Sequence, residues 1–138
     1  MLDTVRKSEA DVAERPRICL IDDDPLVRDA LALGLEDAGF VVQTAEDAKS
    51  GLALVSAEMF DVAVIDMNMP TSSGADLAPR IRATRPDLAI VAISGASEIG
   101  GRSLSEVARE IGADACLLKP FRAREIAALL QRLLAAKA

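Results

Sequence analysis

The sequence has no histidine, tryptophan or tyrosine, and only three phenylalanines and two cysteines in 138 residues. Without histidine the chain cannot build a His-Cys zinc site, a Ser-His-Asp triad or a phosphohistidine donor of its own. Aromatics at 2% require an aliphatic core and leave no stacking platform for single-stranded nucleic acid. Acidic residues outnumber basic ones, 22 to 16, for a formal net charge of −6; this disfavours binding of a phosphate backbone by the whole chain. No apolar run approaches the roughly 20 residues that span a bilayer. The polar first fifteen residues lack the apolar stretch of a secretory signal. Cys19 and Cys116 both fall in apolar runs, where free thiols are usually buried and inert. The expectation is a cytoplasmic protein in a reducing compartment, with no membrane partner and no direct DNA binding.

What is present is a chain 51% apolar, one domain by length, which excludes a disordered polypeptide. Residues 1–16 carry mixed charge and end in Pro16, and read as a leader or one frayed helical turn before a folded part, 17–138. From Arg17 strand and helix patterns alternate. Strands are expected at about 17–22, 40–44, 61–65, 88–93 and 115–118, and helices over 25–38, 46–58, 75–85, 103–111 and 122–136. Gly39 and Gly112 close two of these helices. Ser103 with Glu106 forms a capping box. Pro79 breaks the helical pattern of 75–85, and either lies in a late first turn or kinks the helix. Five βα units in a row imply an α/β fold with a five-stranded parallel sheet and helices on both faces. Periodicity leaves Rossmann-like and flavodoxin-like strand orders open.

The chemistry lies where the apolar runs stop. Ile18–Ile21 runs into Asp22-Asp23-Asp24, Val62–Ile65 into Asp66, Ala92-Ile93 into Ser94, and Cys116–Leu118 into Lys119-Pro120. Ligands of open α/β sheets bind outside these carboxyl ends. Asp24 before Pro25 is explained as a helix N-cap, but the two acids before it are not. Asp66 alone would be a turn residue. Together with Asp22 and Asp23 it makes a carboxylate cluster that calls for a divalent cation, and Mg2+ suits it. A carboxylate so placed can act as a nucleophile and form an aspartyl phosphate. Lys119 alone would be a solvated charge and Ser94 a cap. At the same rim the ammonium can pair with Asp66 and then with a phosphoryl group, while the hydroxyl can donate to a phosphoryl oxygen. Lys119-Pro120 is a candidate cis peptide.

The segments RICLIDDDPLVRDAL, FDVAVIDMNMPTSSGADL, IVAISGAS and GADACLLKPF resemble the receiver domain of bacterial two-component response regulators, from residue 17 to about 136. The resemblance implies the flavodoxin-like order 2-1-3-4-5. It implies Asp66 as phosphoacceptor, Asp22 and Asp23 as further Mg2+ ligands, Asn68 as a ligand through its backbone carbonyl, Ser94 as switch hydroxyl and Lys119 as phosphoryl contact. On that order the first and fifth strands are not neighbours, so a Cys19–Cys116 disulfide is not expected. The family usually carries an aromatic residue shortly before the lysine as the second half of its switch, and here that place is held by Cys116. The spacing from Ser94 to Lys119 is also a few residues longer than the family pattern. The surplus is expected in 96–101, with Gly100-Gly101 leaving a mobile loop.

The functional expectation is a stand-alone receiver, not an enzyme. It takes a phosphoryl group from a histidine kinase or histidine phosphotransfer protein and signals to a protein target in trans, or passes the group on. The Leu129-Leu130-Leu133-Leu134 stripe is core, with a part left over for a partner, so a monomer or weak homodimer is expected. Three rivals stand beside this. A degenerate receiver would serve only as an interaction scaffold. A haloacid dehalogenase-type phosphohydrolase also uses strand-end acids two apart, but Asp24-Pro25-Leu26 lacks its expected hydroxyl. A flavodoxin-like FMN protein would need phosphate-binding donors where three carboxylates stand.

Overall fold

The structure, a computed structural model, describes residues 15–69 and 74–137; the expected leader, apart from Arg15 and Pro16, lies outside them. The chain alternates as the apolar runs require: β1 (Arg17–Ile21), α1 (Pro25–Asp37), β2 (Val41–Ala45), α2 (Ala48–Ala57), β3 (Val62–Asp66), α3 (Gly74–Thr84) and β4 (Ala89–Ser94). A short hairpin, β5 (Glu98–Ile99) and β6 (Arg102–Ser103), precedes α4 (Leu104–Glu110), β7 (Ala115–Leu118) and α5 (Ala123–Lys137). The main sheet runs β2-β1-β3-β4-β7, all pairs parallel. This is the flavodoxin-like order, with β7 as the fifth strand.

Period-two alternation along buried strands sends side chains to two cores. Cys19, Ile21, Ala63, Ile65, Ile90 and Ala92 face α2, α3 and α4, meeting Val55, Leu77, Ile81, Leu104 and Ala108. Ile18, Leu20, Val62, Val64, Val91 and Ile93 face α1 and α5, meeting Leu31, Leu35, Ile126 and Leu130. The leucine stripe of α5 thus faces mainly inward: Leu130 is fully buried and Leu129, Leu133 and Leu134 pack partly against the second core. Burial, helped by the charge of Glu58, pushes the Cys19 thiol up to about 12. Cys19 and Cys116 are both free thiols, separated by β3 and β4.

Local chemistry sets the helix starts. The Asp24 carboxylate accepts from the amides of Leu26 and Val27, with Pro25 in the first turn. Ser103 caps α4, accepting from the Glu106 amide and donating to its carboxylate. Asp47 and Ser50 form a capping box on α2, whereas at α4 the Glu106 carboxylate meets the Ser103 hydroxyl. Pro79 lies in the interior of α3 rather than in its first turn.

The expected mobile loop over 96–101 is instead a built hairpin. Gly100 and Gly101 both take positive φ, 60° and 80°, which closes a two-residue turn between paired strands. Ile99 packs partly against the first core.

At the amino ends of the strands, arginines tie the floor together. Arg82 donates to the carbonyls of Pro86, Leu88 and Gly112 and to the Asp114 carboxylate. Asp114 in turn accepts from the Ile90 amide. Arg85 donates to the carbonyls of Val55 and Ser56.

Gly34 lets α1 and α5 approach: a Cβ placed there would stand 2.4 Å from the Cβ of Ala123. In an open helix face, glycine to alanine gains about 1 kcal/mol of helix propensity. Here neither side can yield by rotating a side chain, so Gly34→Ala is expected to destabilise by roughly 1–3 kcal/mol. Adding Ala123→Gly should restore most of the loss. Urea unfolding of the two single variants and the double variant checks this.

Candidate functional site

The site is assembled by backbone hydrogen bonds that carry the sheet pairing past the formal strand ends. The Asp22 amide donates to the Ala45 carbonyl at 3.1 Å, Met67 to Ile93 at 2.8 Å, and Lys119 to Ser94 at 2.7 Å. Asp66 and Ser94 are themselves the last residues of their strands, in register with Ile93 and Leu118. That is one residue further than the apolar pattern indicates, because a polar side chain at a strand end does not stop its backbone from pairing. The Lys119–Pro120 bond is cis.

Asp22, Asp23 and Asp66 converge: each offers a carboxylate oxygen within 4.8 Å of the others. Asp22 and Ser94 are fully buried and Asp66 is 4% exposed. Lys119 Nζ donates to Asp22 Oδ2 at 2.8 Å and lies 3.6 Å from Asp66 Oδ2. Its nearer partner is therefore Asp22, not the expected Asp66. The Asp22 Oδ1 accepts from the Asp24 amide at 3.0 Å, and Arg28 donates to the Asp22 carbonyl at 3.1 Å. On the other side, Asp66 Oδ1 accepts from the Asn68 amide at 3.1 Å.

Asn68 also does something that sequence reasoning missed. Its side-chain Nδ2 donates to Ser94 Oγ at 2.9 Å, where only its main-chain carbonyl had been anticipated. An exposed asparagine after a strand carries no sequence signal for such a contact. Arg28 is likewise visible only once α1 is folded. Cys116 is half-buried on β7 and packs partly against the first core.

Burial pushes the Asp66 carboxyl above its ordinary value. The Asn68 amide and Lys119 pull it back, and the charges of Asp22 and Asp23 push the same way as burial. Burial works against the charge of Lys119, but its hydrogen bond to Asp22 and the nearby charge of Asp66 outweigh this and hold the ammonium above its ordinary value. The set of donors is all oxygen, crowded and largely buried, which fits a hard divalent cation such as Mg2+ rather than a soft metal.

With this geometry in place, the chain can be set beside known proteins. The response regulator receiver domain family matches residues 18–131, and the chain belongs to it. It is 32% identical over 118 residues to the transcriptional regulatory protein QseB of Haemophilus influenzae, covering 86% of this chain and 52% of that protein. It spans about half the length of the first curated relatives it matches. Among solved structures, a CheY-like receiver domain protein from Methanospirillum hungatei superposes with a TM-score of 0.83 at 27% identity, covering 90% of this chain and 97% of that one. The response regulator TrrA from Thermotoga maritima, solved in complex with Mg2+ and BeF, superposes at 0.76 and 27% identity, covering 86% and 98%. Receiver domains are signalling modules, not enzymes in the usual sense. Among the described residues no helix is long and apolar enough to cross a membrane.

Because the folded Asp66 carboxyl titrates above its unfolded counterpart, no cost arises at low pH, where both are protonated. The cost appears as pH rises through that window and persists above it. Metal-free Asp66→Asn is therefore expected to melt above the parent at neutral pH, with the gain fading as pH falls and gone by about pH 4, the ordinary carboxylate value. A pH-independent difference in melting temperature would exclude this origin.

Proposed function

We propose that residues 17–138 form a working receiver in which Asp66 accepts a phosphoryl group from the phosphohistidine of a kinase or phosphotransfer protein. A carboxylate oxygen of Asp66 attacks phosphorus in line. The O–P bond of an acyl phosphate forms as the P–N bond breaks, and the imidazole leaves with the electron pair and takes up a proton. Lys119 follows the charge, moving its ammonium from the Asp22–Asp66 pair toward the phosphoryl oxygens. The Ser94 hydroxyl, two hydrogen bonds away from the Asp66 carboxylate through Asn68, supplies a donor without added charge. Asp22, Asp23, Asp66 and the Asn68 carbonyl would hold Mg2+, which offsets the crowded negative charge when bound.

The observation that carries this reading is the meeting of three carboxylates from two strands within 4.8 Å with a lysine from a third strand end beside them. A scaffold that had lost its chemistry would have no need to keep two acids at or below 4% exposure. The phosphohydrolase alternative has no support from the placement of Asp24, whose carboxylate is engaged in capping α1.

Output, on this reading, is phosphorylation-dependent binding to a protein target, or transfer of the group onward to a histidine phosphotransfer protein. The acyl phosphate shifts an existing equilibrium between resting and signalling forms. Several relatives are described as transcriptional regulatory proteins. The acidic balance of this chain, −6, favours a protein partner over direct DNA contact for these residues.

Asp66→Asn is expected to abolish incorporation of label from acetyl phosphate in the presence of Mg2+; stoichiometric labelling of the variant refutes the assignment. Lys119→Ala should fold and still take up label slowly, but lose the change in partner affinity that accompanies phosphorylation. Calorimetric titration of a captured target with parent and variant, each with and without beryllofluoride, measures this. Equal affinity changes in both would overturn the role of Lys119.

A further inference from the structure

We propose that the Asn68 side chain is a latch: it holds the Ser94 hydroxyl at rest and opposes its recruitment by a phosphorylated Asp66. This rests on the phosphoacceptor reading and adds a positioning residue to it.

A hydroxyl has one hydrogen to donate and two lone pairs to offer. At Ser94 all three are committed. Oγ accepts from Asn68 Nδ2 at 2.9 Å and from the Ala96 amide at 3.0 Å, and it donates to the Ala96 carbonyl at 3.0 Å. Ser94 is fully buried, so solvent cannot take over a bond that is released. For Ser94 to donate to a phosphoryl oxygen, its hydrogen must leave the Ala96 carbonyl and take a position held by one of the two incoming donors. Asn68, which also binds Asp66 through its amide, is the donor that links Oγ to the acceptor and the one displaced when the latch opens.

Asn68 is placed to sense the acceptor as well. Its main-chain amide donates to Asp66 Oδ1 while its side chain reaches Ser94, so one residue touches both partners of the expected switch. The residue is otherwise exposed; its side chain can be truncated without opening the core, and truncation keeps the carbonyl that would face a metal.

The change in pairing has a defined route outward. Ala96 lies two residues before β5, and the carbonyl of the intervening Ser97 accepts from the amide of Leu104, the first residue of α4, at 2.9 Å. β5 and β6 pair residue for residue behind a two-glycine turn, and Ile99 packs the hairpin onto the first core, against which Cys116 also packs. Turning the Ser94 hydroxyl therefore unpairs Ala96 at the root of the hairpin, and the hairpin takes the place of a rotating aromatic ring.

The test uses the full chain, 15N-labelled, as parent, Asn68→Ala, Ser94→Ala and the double variant, titrated with Mg2+ alone and with Mg2+ and beryllofluoride. Loss of the latch should tighten beryllofluoride binding by about fivefold, the worth of one neutral hydrogen bond. Affinity for Mg2+ alone is measured for every variant, and beryllofluoride affinities are compared at saturating Mg2+, so that a change in metal binding is separated from the latch. The Ala96 amide resonance of ligand-free Asn68→Ala should move toward its beryllofluoride-bound position. In the Ser94→Ala background, Asn68→Ala should have no effect on beryllofluoride affinity. Unchanged or weaker binding by Asn68→Ala, or an equal effect with and without Ser94, overturns the latch. A parent that does not bind beryllofluoride refutes the phosphoacceptor reading itself, and the latch falls with it.

Discussion

Three carboxylates facing one ammonium at the carboxyl end of the sheet is the constraint around which the rest of this protein is arranged. Asp22, Asp23 and Asp66 come together only because β1 and β3 are hydrogen-bonded neighbours. Lys119 reaches them from β7, beyond β4. Taken from water, such a group of like charges is unfavourable unless a cation or a well-placed donor answers each one. The structure answers them partly: Asp22 has Lys119 and the Asp24 amide, and Asp66 has the Asn68 amide. On the proposed reading the incomplete remainder is the chemically useful part, since an under-compensated carboxylate among oxygens would attract a hard cation and then the phosphoryl group that shares it.

Much of this was legible in the sequence for a physical reason. Parallel strands buried on both faces must be short and apolar, so their ends are marked sharply by the first polar side chain. That is why Asp22, Asp66, Ser94 and Lys119 can be picked out without an alignment, and why both cores follow from alternation along β1, β3 and β4. Helix capping at Asp24 and Ser103 was equally readable, because the capping group and its targets lie within one turn.

Other features could not be read for equally physical reasons. The preference of Lys119 for Asp22 over Asp66 depends on a distance difference between 2.8 and 3.6 Å, which no residue pattern encodes. The Asn68–Ser94 contact joins residues 26 apart through side chains with no periodic signature. The sequence of 96–101 suggests a mobile loop where the structure has the start of a hairpin, because glycine pairs signal freedom and tight turns alike. What decides between them is whether flanking residues pair, and here Ile99 supplies an apolar anchor. Pro79 shows the reverse: a strong local signal against a helix interior was overruled by the buried face of Leu77, Ala78 and Ile81.

The arginine fastenings at the opposite pole give the molecule a mechanical polarity. Arg82 alone joins the end of α3, the entry to β4 and the turn into β7, and Arg85 pins the tail of α2. Strand roots fastened in this way are held together by side chains as well as by the sheet, whereas the acidic rim is held by the charged groups of the site itself. The domain is thus fastened at its base by arginines, and the hairpin and the start of α4 stand at the opposite, acidic end.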